Sequence, residues 1–414
     1  MYDLKYLREH PEEIKRNNKR RGCTIDVDAL IALDGQYRQL QASIEQRRAQ
    51  RKSVSRQKPS AEEIAAMRTL GEEIERDEKR GEELLNRVNA QFSQLPNILA
   101  EDVPDGKDDS DNVVIKTVGE KPAFPFEPRD HIALGEALDI IDVKHAASVT
   151  GSRFYFLKNA GAQLRLALHQ WGWQTLSSEG FTLMTTPHLA GERTLYGTGY
   201  LPFFAEDVWR LEGSSLALIG TSEQTLVAYH QDEFMSTKDL PKRYSATSEC
   251  FRTEAGSYGK DTRGIFRVHE FWKMEQIILC TPESAEEYHQ RALAVEEWFA
   301  QQLGIPYHVV LVCSGDCGAP GYKKFDLESW FPAQGRYREL TSNTNLTDFQ
   351  TRRLNIRYKD ADGAIRYPYS ISATALTDRW ILAIMENYQQ ADGSIRVPSV
   401  LVPFMGTDRI VSRS

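Results

Sequence analysis

Residues 248–276 read SECFRTEAGSYGKDTRGIFRVHEFWKMEQ. Two strand-like stretches flank AGSYGKDTRG, a glycine-rich polar loop, so the segment is predicted to be a β-hairpin. On its second strand the two-residue period places Arg267, His269, Phe271, Lys273 and Glu275 on one face. Val268, Trp272 and Met274 fall on the other, with Glu270 the exception on the apolar side. On the first strand Arg252 and Glu254 share a face. One side of this sheet suits packed helices, and the other is dense in charge with one aromatic ring. Contact with water alone would account for a charged face on a peripheral sheet. The functional reading is a ligand-binding floor. Arginine suits bidentate phosphate contact, Phe271 offers a flat surface for a base, and a carboxylate can grip an ammonium group.

Outward from the hairpin, residues 131–414 mix helical stretches with apolar runs such as FTLMTT, LALIGT, YHVVLV and VPSVLVPF, all read as strands. The absence of strict strand–helix alternation predicts an α+β domain with an antiparallel sheet flanked by helices. Residues 105–130, rich in Asp, Gly and Pro, read as a linker. Residues 1–104 read as a helical arm. Leu30, Leu33, Tyr37, Leu40 and Ile44 recur at spacings of three and four, the seam of a coiled coil. Ser60 and Glu63 make a capping box after the break at Lys58-Pro59. The second helix carries Met67, Leu70, Ile74, Leu84, Val88 and Leu95 as far as Pro96, a stripe weakened by Asp77 and Gly81. Two such helices must pack antiparallel, each about 30 residues or roughly 45 Å long. A dimerisation coiled coil would show the same periodicity. Arg47, Arg48, Arg51, Lys52, Arg56 and Lys58 follow one another with no acidic residue after Glu45, and a one-sign stripe suits a phosphate backbone.

Composition sets outer limits. The chain has 414 residues with 41% hydrophobic and 27% charged, an ordinary globular mixture. No apolar run approaches the roughly 20 residues that span a bilayer. The N-terminal MYDLKYLREHPEEIKRN is too charged for a secretory signal, so a cytoplasmic location is expected. Five scattered cysteines suggest reduced thiols, and no zinc is expected. The net charge of −8 does not exclude a nucleic acid, because phosphate contacts depend on local clusters.

The hairpin stretch FRTEAGSYGKDTRGIFRVHEFWKME resembles motif 2 of the seryl-tRNA synthetases, a class II family. Further similarity lies in LGEALDIIDVKHAASVTGSRFYFL (134–157), LYGTGYLPFF, LIGTSEQTLVAYHQDE, CSGDCGAPGYKKFDLESWFPAQGRYREL and TDFQTRRLNIRYKD, and the arm resembles the family's tRNA-binding domain. The resemblance implies ATP-dependent activation of L-serine and transfer to tRNA(Ser), with tRNA(Sec) as a further acceptor, by a homodimer using Mg²⁺. It implies that Arg252 holds the ATP α-phosphate and Glu254 contacts the nucleotide. Phe271 would stack on adenine, with Arg267 and Val268 lining the same pocket. Thr221, Glu223, Glu275 and Thr374 would contact serine together with Arg252, and Glu339 and Ser342 would hold the metal. Arg379 would bind the γ-phosphate, and Pro187 matches the motif 1 proline of the dimer interface. The stretch YSISATALTDRWILAIMENYQ departs from the family's motif 3. Its asparagine is absent, Ser370 or Ser372 stands nearby, and Thr374 matches only with a one-residue deletion before Arg379. Two other readings stand beside this one: a paralogue activating serine or another small amino acid for a non-translational acceptor, and a non-catalytic RNA-binding paralogue.

Overall fold

A computed structural model describes residues 2–54, 60–255 and 264–412. Contacts divide the chain into two units, Tyr2–Ile98 and Leu99–Ser414.

The first unit is helical: α1 (Leu4–Glu9), α2 (Pro11–Arg20), α3 (Val27–Val54) and α4 (Ala61–Phe92). The expected capping box is present, with Glu63 N–H donating to Ser60 Oγ at 3.2 Å and Ser60 N–H to Glu63 Oε2 at 2.7 Å. Leu30, Leu33, Leu84 and Val88 share one buried cluster. Rising numbers on α3 meet falling numbers on α4, as in Gln41 against Gly81, Arg47 against Asp77 and Arg51 against Gly71, so the pair is antiparallel. The two positions that weaken the apolar stripe, Asp77 and Gly81, are both contact points between the helices. Helix α4 ends at Phe92, short of Pro96, as the bias of a residue before proline away from helix favours. The short α1 and α2 precede the two-helix seam, and their Leu7 and Ile14 are fully buried in the cluster with Leu30 and Val88.

The second unit is built on eight strands: β1 (Val113–Val118), β2 (Thr182–Thr185), β3 (Lys242–Phe251), β4 (Glu270–Cys280), β5 (Tyr307–Leu311), β6 (Lys323–Phe331), β7 (Arg336–Asn345) and β8 (Tyr369–Thr377). They lie in the order β1-β5-β6-β7-β8-β4-β3-β2. Every neighbouring pair is antiparallel except β2 and β3. The fold is therefore α+β with an antiparallel sheet. Strand β1 lies inside the stretch expected to be a linker and pairs with β5, so that segment belongs to the sheet. Its Gly- and Pro-rich flanks hid a six-residue edge strand.

Three helices, α5 (Asn159–Ser178), α6 (Ala285–Gln302) and α7 (Asp378–Asn387), form a continuous core with the sheet. Trp272, Met274, Phe325, Leu327 and Leu376 from the strands meet Leu164, Trp171, Phe299 and Trp380 there. Helix α5 comes closest at Gly172, where a Cβ would lie 2.6 Å from Leu376 Cδ1 and 2.9 Å from Met274 Sδ. VPSVLVPF is not a strand. Ser399–Leu401 is a 3₁₀ turn and Val402–Met405 a helical turn. Pro398 and Pro403 lack the N–H groups that a ladder needs. Leu401 and Met405 are buried by this turn in the main core.

Candidate active site

The hairpin pairs over its full described length, from Lys242 opposite Leu279 to Phe251 opposite Glu270. Its strands stop earlier than the sequence suggests. Arg252 and Glu254 lie just past β3, and Glu254 takes a left-handed backbone with φ 54°. The loop 256–263 lies outside the described residues. The alternation along β4 holds: Trp272 and Met274 enter the core, while Phe271, Lys273 and Glu275 border a cleft of about 360 Å³.

Two β-bulges decide what else faces this cleft. On β7 the pairing steps from Leu327–Thr341 to Glu328–Glu339, leaving Leu340 unopposed. That extra residue lets Glu339 and Ser342, an odd number apart, both line the cleft. On β8 the pairing steps from Thr374–Glu275 to Leu376–Met274, so Thr374 and Thr377 both border it as well. Thr374 stands opposite Glu275, and Ser372 joins it at the cleft two residues earlier.

The cleft brings together Glu223, Arg252, Glu254, Arg267, Val268, Phe271, Glu275, Glu339, Ser342, Thr374 and Arg379. Thr221 lies behind them and donates to Glu275 Oε1 at 2.6 Å. At one end, Arg252 packs its guanidinium 5.3 Å from the Phe271 ring centre, and Arg267 donates to Glu254 at 2.6 Å. Arg379 Nη1 donates to the Glu339 carbonyl at 2.9 Å and lies 3.3 Å from its carboxylate, with the guanidinium 4.6 Å from the Phe266 ring. Burial pushes the Glu339 carboxyl up, but Arg379 and Lys324 outweigh it and hold its pKa near about 2. The carboxylate is thus ionised throughout the physiological range. At the other end Glu275 is buried, bonded by Thr221 and paired with Lys273. Its Oε2 has no hydrogen-bond partner among the described residues, a costly state for a buried acceptor. Burial lowers the Lys273 pKa to about 8. Glu223 accepts from Gln350 Nε2 at 2.5 Å.

The lining residues that received no role from the sequence include Lys273, Lys324, Phe266 and Asp378. Lys273 was visible, being on the charged face by alternation. Lys324 shares a strand face with Asp326, whose carboxyl burial raises to about 7. Phe266 lies in the irregular stretch before β4, where no period applies. Pro187 is exposed just past β2 and does not border the cleft.

In the helical unit the expected one-sign stripe is a mixed one. Arg47 pairs with Asp77 and lies 3.9 Å from Glu73. Arg48 bridges Glu45 at 2.5 Å and Glu78 at 2.8 Å. Glu73, Asp77 and Glu78 come from α4, which reading α3 alone cannot reveal. The Arg51 guanidinium lies against Gly71 of α4, and Lys52 is exposed. Arg56 and Lys58 lie outside the described residues.

Residues 1–99 match the seryl-tRNA synthetase N-terminal domain, and residues 207–388 the tRNA synthetase class II core domain (G, H, P, S and T). A serine–tRNA ligase of Dictyoglomus turgidum is 44% identical over 382 residues, 90% of each chain. One from Nocardia farcinica is 44% identical over 415 residues, 99% of each. Among solved structures, the seryl-tRNA synthetase of Pyrococcus horikoshii complexed with ATP superposes with a TM-score of 0.95 at 36% identity, covering 100% of both chains.

Proposed function

The chain belongs to the seryl-tRNA synthetase family, and from that premise we infer how its residues divide the work. It activates L-serine with ATP and transfers the seryl group to tRNA. In the first step a serine carboxylate oxygen bonds to the α-phosphorus, the bond to the β-phosphate oxygen breaks, and pyrophosphate leaves. In the second, the 3′-terminal ribose hydroxyl of tRNA(Ser) attacks the acyl carbon and AMP departs. Neither step needs a protein nucleophile, so the protein contributes positioning and charge stabilisation.

Arg252 takes the α-phosphate, Phe271 stacks on adenine with Arg267 and Val268 beside it, and Glu254 contacts the nucleotide. Arg379 takes the γ-phosphate. Glu275, Glu223, Thr221 and Thr374 hold serine, with Arg252 at its carboxylate. The observation that carries this reading is the buried Glu275 Oε2, an acceptor without a hydrogen-bond donor among the described residues, in a cleft that Arg252, Arg267 and Arg379 also line. A serine ammonium supplies that donor.

Magnesium fits Glu339 and Ser342. Mg²⁺ is usually held by one or two carboxylates plus substrate phosphates. Here Glu339 is ionised, and no cluster of three or more ligating side chains exists among the described residues. When bound, the ion neutralises the phosphates' negative charge. The location assigned is cytoplasmic, and no described helix is long and apolar enough to cross a membrane.

Serine-dependent ATP–pyrophosphate exchange with Mg²⁺, run across the amino acids, tests the reading. Exchange with another amino acid and not serine would overturn it, and would revive the paralogue reading that the motif 3 departure raises. Tyr2–Ile98 acts as the tRNA-binding arm, Leu99–Ser414 as the catalytic domain, and Pro187 as part of a two-fold interface. Sedimentation of the full chain and of a variant lacking the first unit, residues 1–98, should each give twice its own chain mass. A monomeric deletion would move the pairing to the arm.

Arg47, Arg48, Arg51, Lys52 and Arg56 grip the tRNA backbone. Replacing Arg48, Arg51 and Arg56 by Ala leaves exchange unchanged and raises the apparent KM for tRNA. The log–log salt slope of binding shrinks by roughly 0.7 to 0.9 per lost phosphate contact. Because Arg48 already bridges Glu45 and Glu78, we expect Arg51→Ala to give the largest single effect. An unchanged slope in the triple variant would reduce these side chains to a solvated helix face.

A further inference from the structure

The first residue of α7 is tied to three other elements. Asp378 accepts hydrogen bonds from the Tyr155 hydroxyl at 2.5 Å, from Arg165 Nε and Nη2 at 2.8 and 2.5 Å, and from the Trp272 backbone N–H at 2.7 Å. Three of these bonds end on Oδ2 and one on Oδ1, so both carboxylate oxygens are engaged. Arg165 stands on α5, and its Nη1 lies 3.4 Å from Glu249 on β3. Trp272 stands on β4. The network thus joins the core-covering helix α5 and both hairpin strands to one point, the residue before Arg379. Asp378 is only 6% exposed and borders the cleft, while Tyr155 and Arg165 do not.

Helix capping does not account for it. Thr377 is already the N-cap and its hydroxyl accepts the Arg379 N–H at 3.2 Å. A buried carboxylate is costly unless paired, and a neutral residue would start the helix without that cost. Its position suggests the use. The far end of Arg379 is held by the carbonyls of Glu339 at 2.9 Å and Phe266 at 3.3 Å. At the near end its backbone N–H is held by the Thr377 hydroxyl, and the residue before it is clamped to β4 through Asp378.

We propose that Asp378, clamped by Arg165, Tyr155 and the Trp272 N–H, is a positioning residue for Arg379. It fixes the point from which the guanidinium reaches the triphosphate. The proposal rests on the role given to Arg379 above. A misplacement of roughly 1 Å at a reacting group costs up to about 100-fold, so a loosened anchor has a measurable effect.

The test is a double-mutant cycle on the full chain, with pyrophosphate exchange measured at varied ATP and serine. In D378N we expect KM for ATP to rise and kcat to fall, each by about tenfold, with KM for serine within about twofold. In an R379A background the same change should add less than about twofold, because the residue it positions is gone. Y155F removes one bond without touching charge. It should move KM for ATP in the same direction, by about threefold, and lose that effect in R379A. Equal losses from D378N in both backgrounds would overturn the proposal while leaving Arg379 its role. A fall in kcat that merely tracks lost folded protein, with KM for ATP unmoved in both D378N and Y155F, would also overturn it. Wild-type exchange in R379A alone would remove the role of Arg379 and this proposal with it.

Discussion

Replacing Arg252 by alanine lowers serine-dependent ATP–pyrophosphate exchange by at least about 100-fold while the fold survives, the usual cost of removing one donor aimed at developing charge. The residue stands just beyond β3, half-buried, with its Nε 3.4 Å from the Gly220 carbonyl and its guanidinium near Phe271. Burial works against its charge, yet the fields of Tyr200, Cys250, Glu254 and Glu339 outweigh it and raise its pKa. It is therefore a fixed cation, and no reorganisation is needed as charge spreads over the phosphoryl oxygens. Lysine should not restore the rate, since an ammonium lacks the planar fork that serves a phosphate and a carboxylate together. Arg379→Ala is expected to cost a similar factor. Wild-type exchange in both alanine variants, with melting temperatures unchanged, would falsify the assignment of the cleft.

The hairpin shows why part of this was legible in the sequence. A strand's period is two, so a quoted string is enough to assign faces, and Phe271, Lys273 and Glu275 fall where the alternation puts them. The seam of α3 and α4 was legible for the same reason, with a period of 3.5 in place of two. Features that depend on a partner strand or helix were not. Glu339 and Ser342 share a face only because Leu340 bulges, and Thr377 joins Thr374 at the cleft only because Ala375 does. Arg47 and Arg48 look like free cations until Asp77 and Glu78 arrive from thirty residues away. Strand β1 is short and sits among glycines and prolines. Its place at the sheet edge is fixed by β5, not by its own pattern.

Glu275→Gln should be the change most selective for the amino acid. The side chain is 1% exposed, accepts from Thr221 at 2.6 Å and contacts Lys273. Its second oxygen faces no donor among the described residues. An amide keeps the shape but removes the charge that answers an ammonium group. Charge-assisted hydrogen bonds are worth about 1.5–3 kcal/mol, and burial of the unpaired ligand charge adds to the loss. We expect kcat/KM for serine to fall by roughly 100- to 1000-fold, with KM for ATP within about threefold. The fold should persist, because Lys273 has an escape that an isolated buried cation lacks. Its pKa is already down to about 8, so losing its carboxylate partner lets it shed the proton near neutrality. A loss shared equally between serine and ATP would show instead that Glu275 braces the sheet through Thr221 and does not read the substrate.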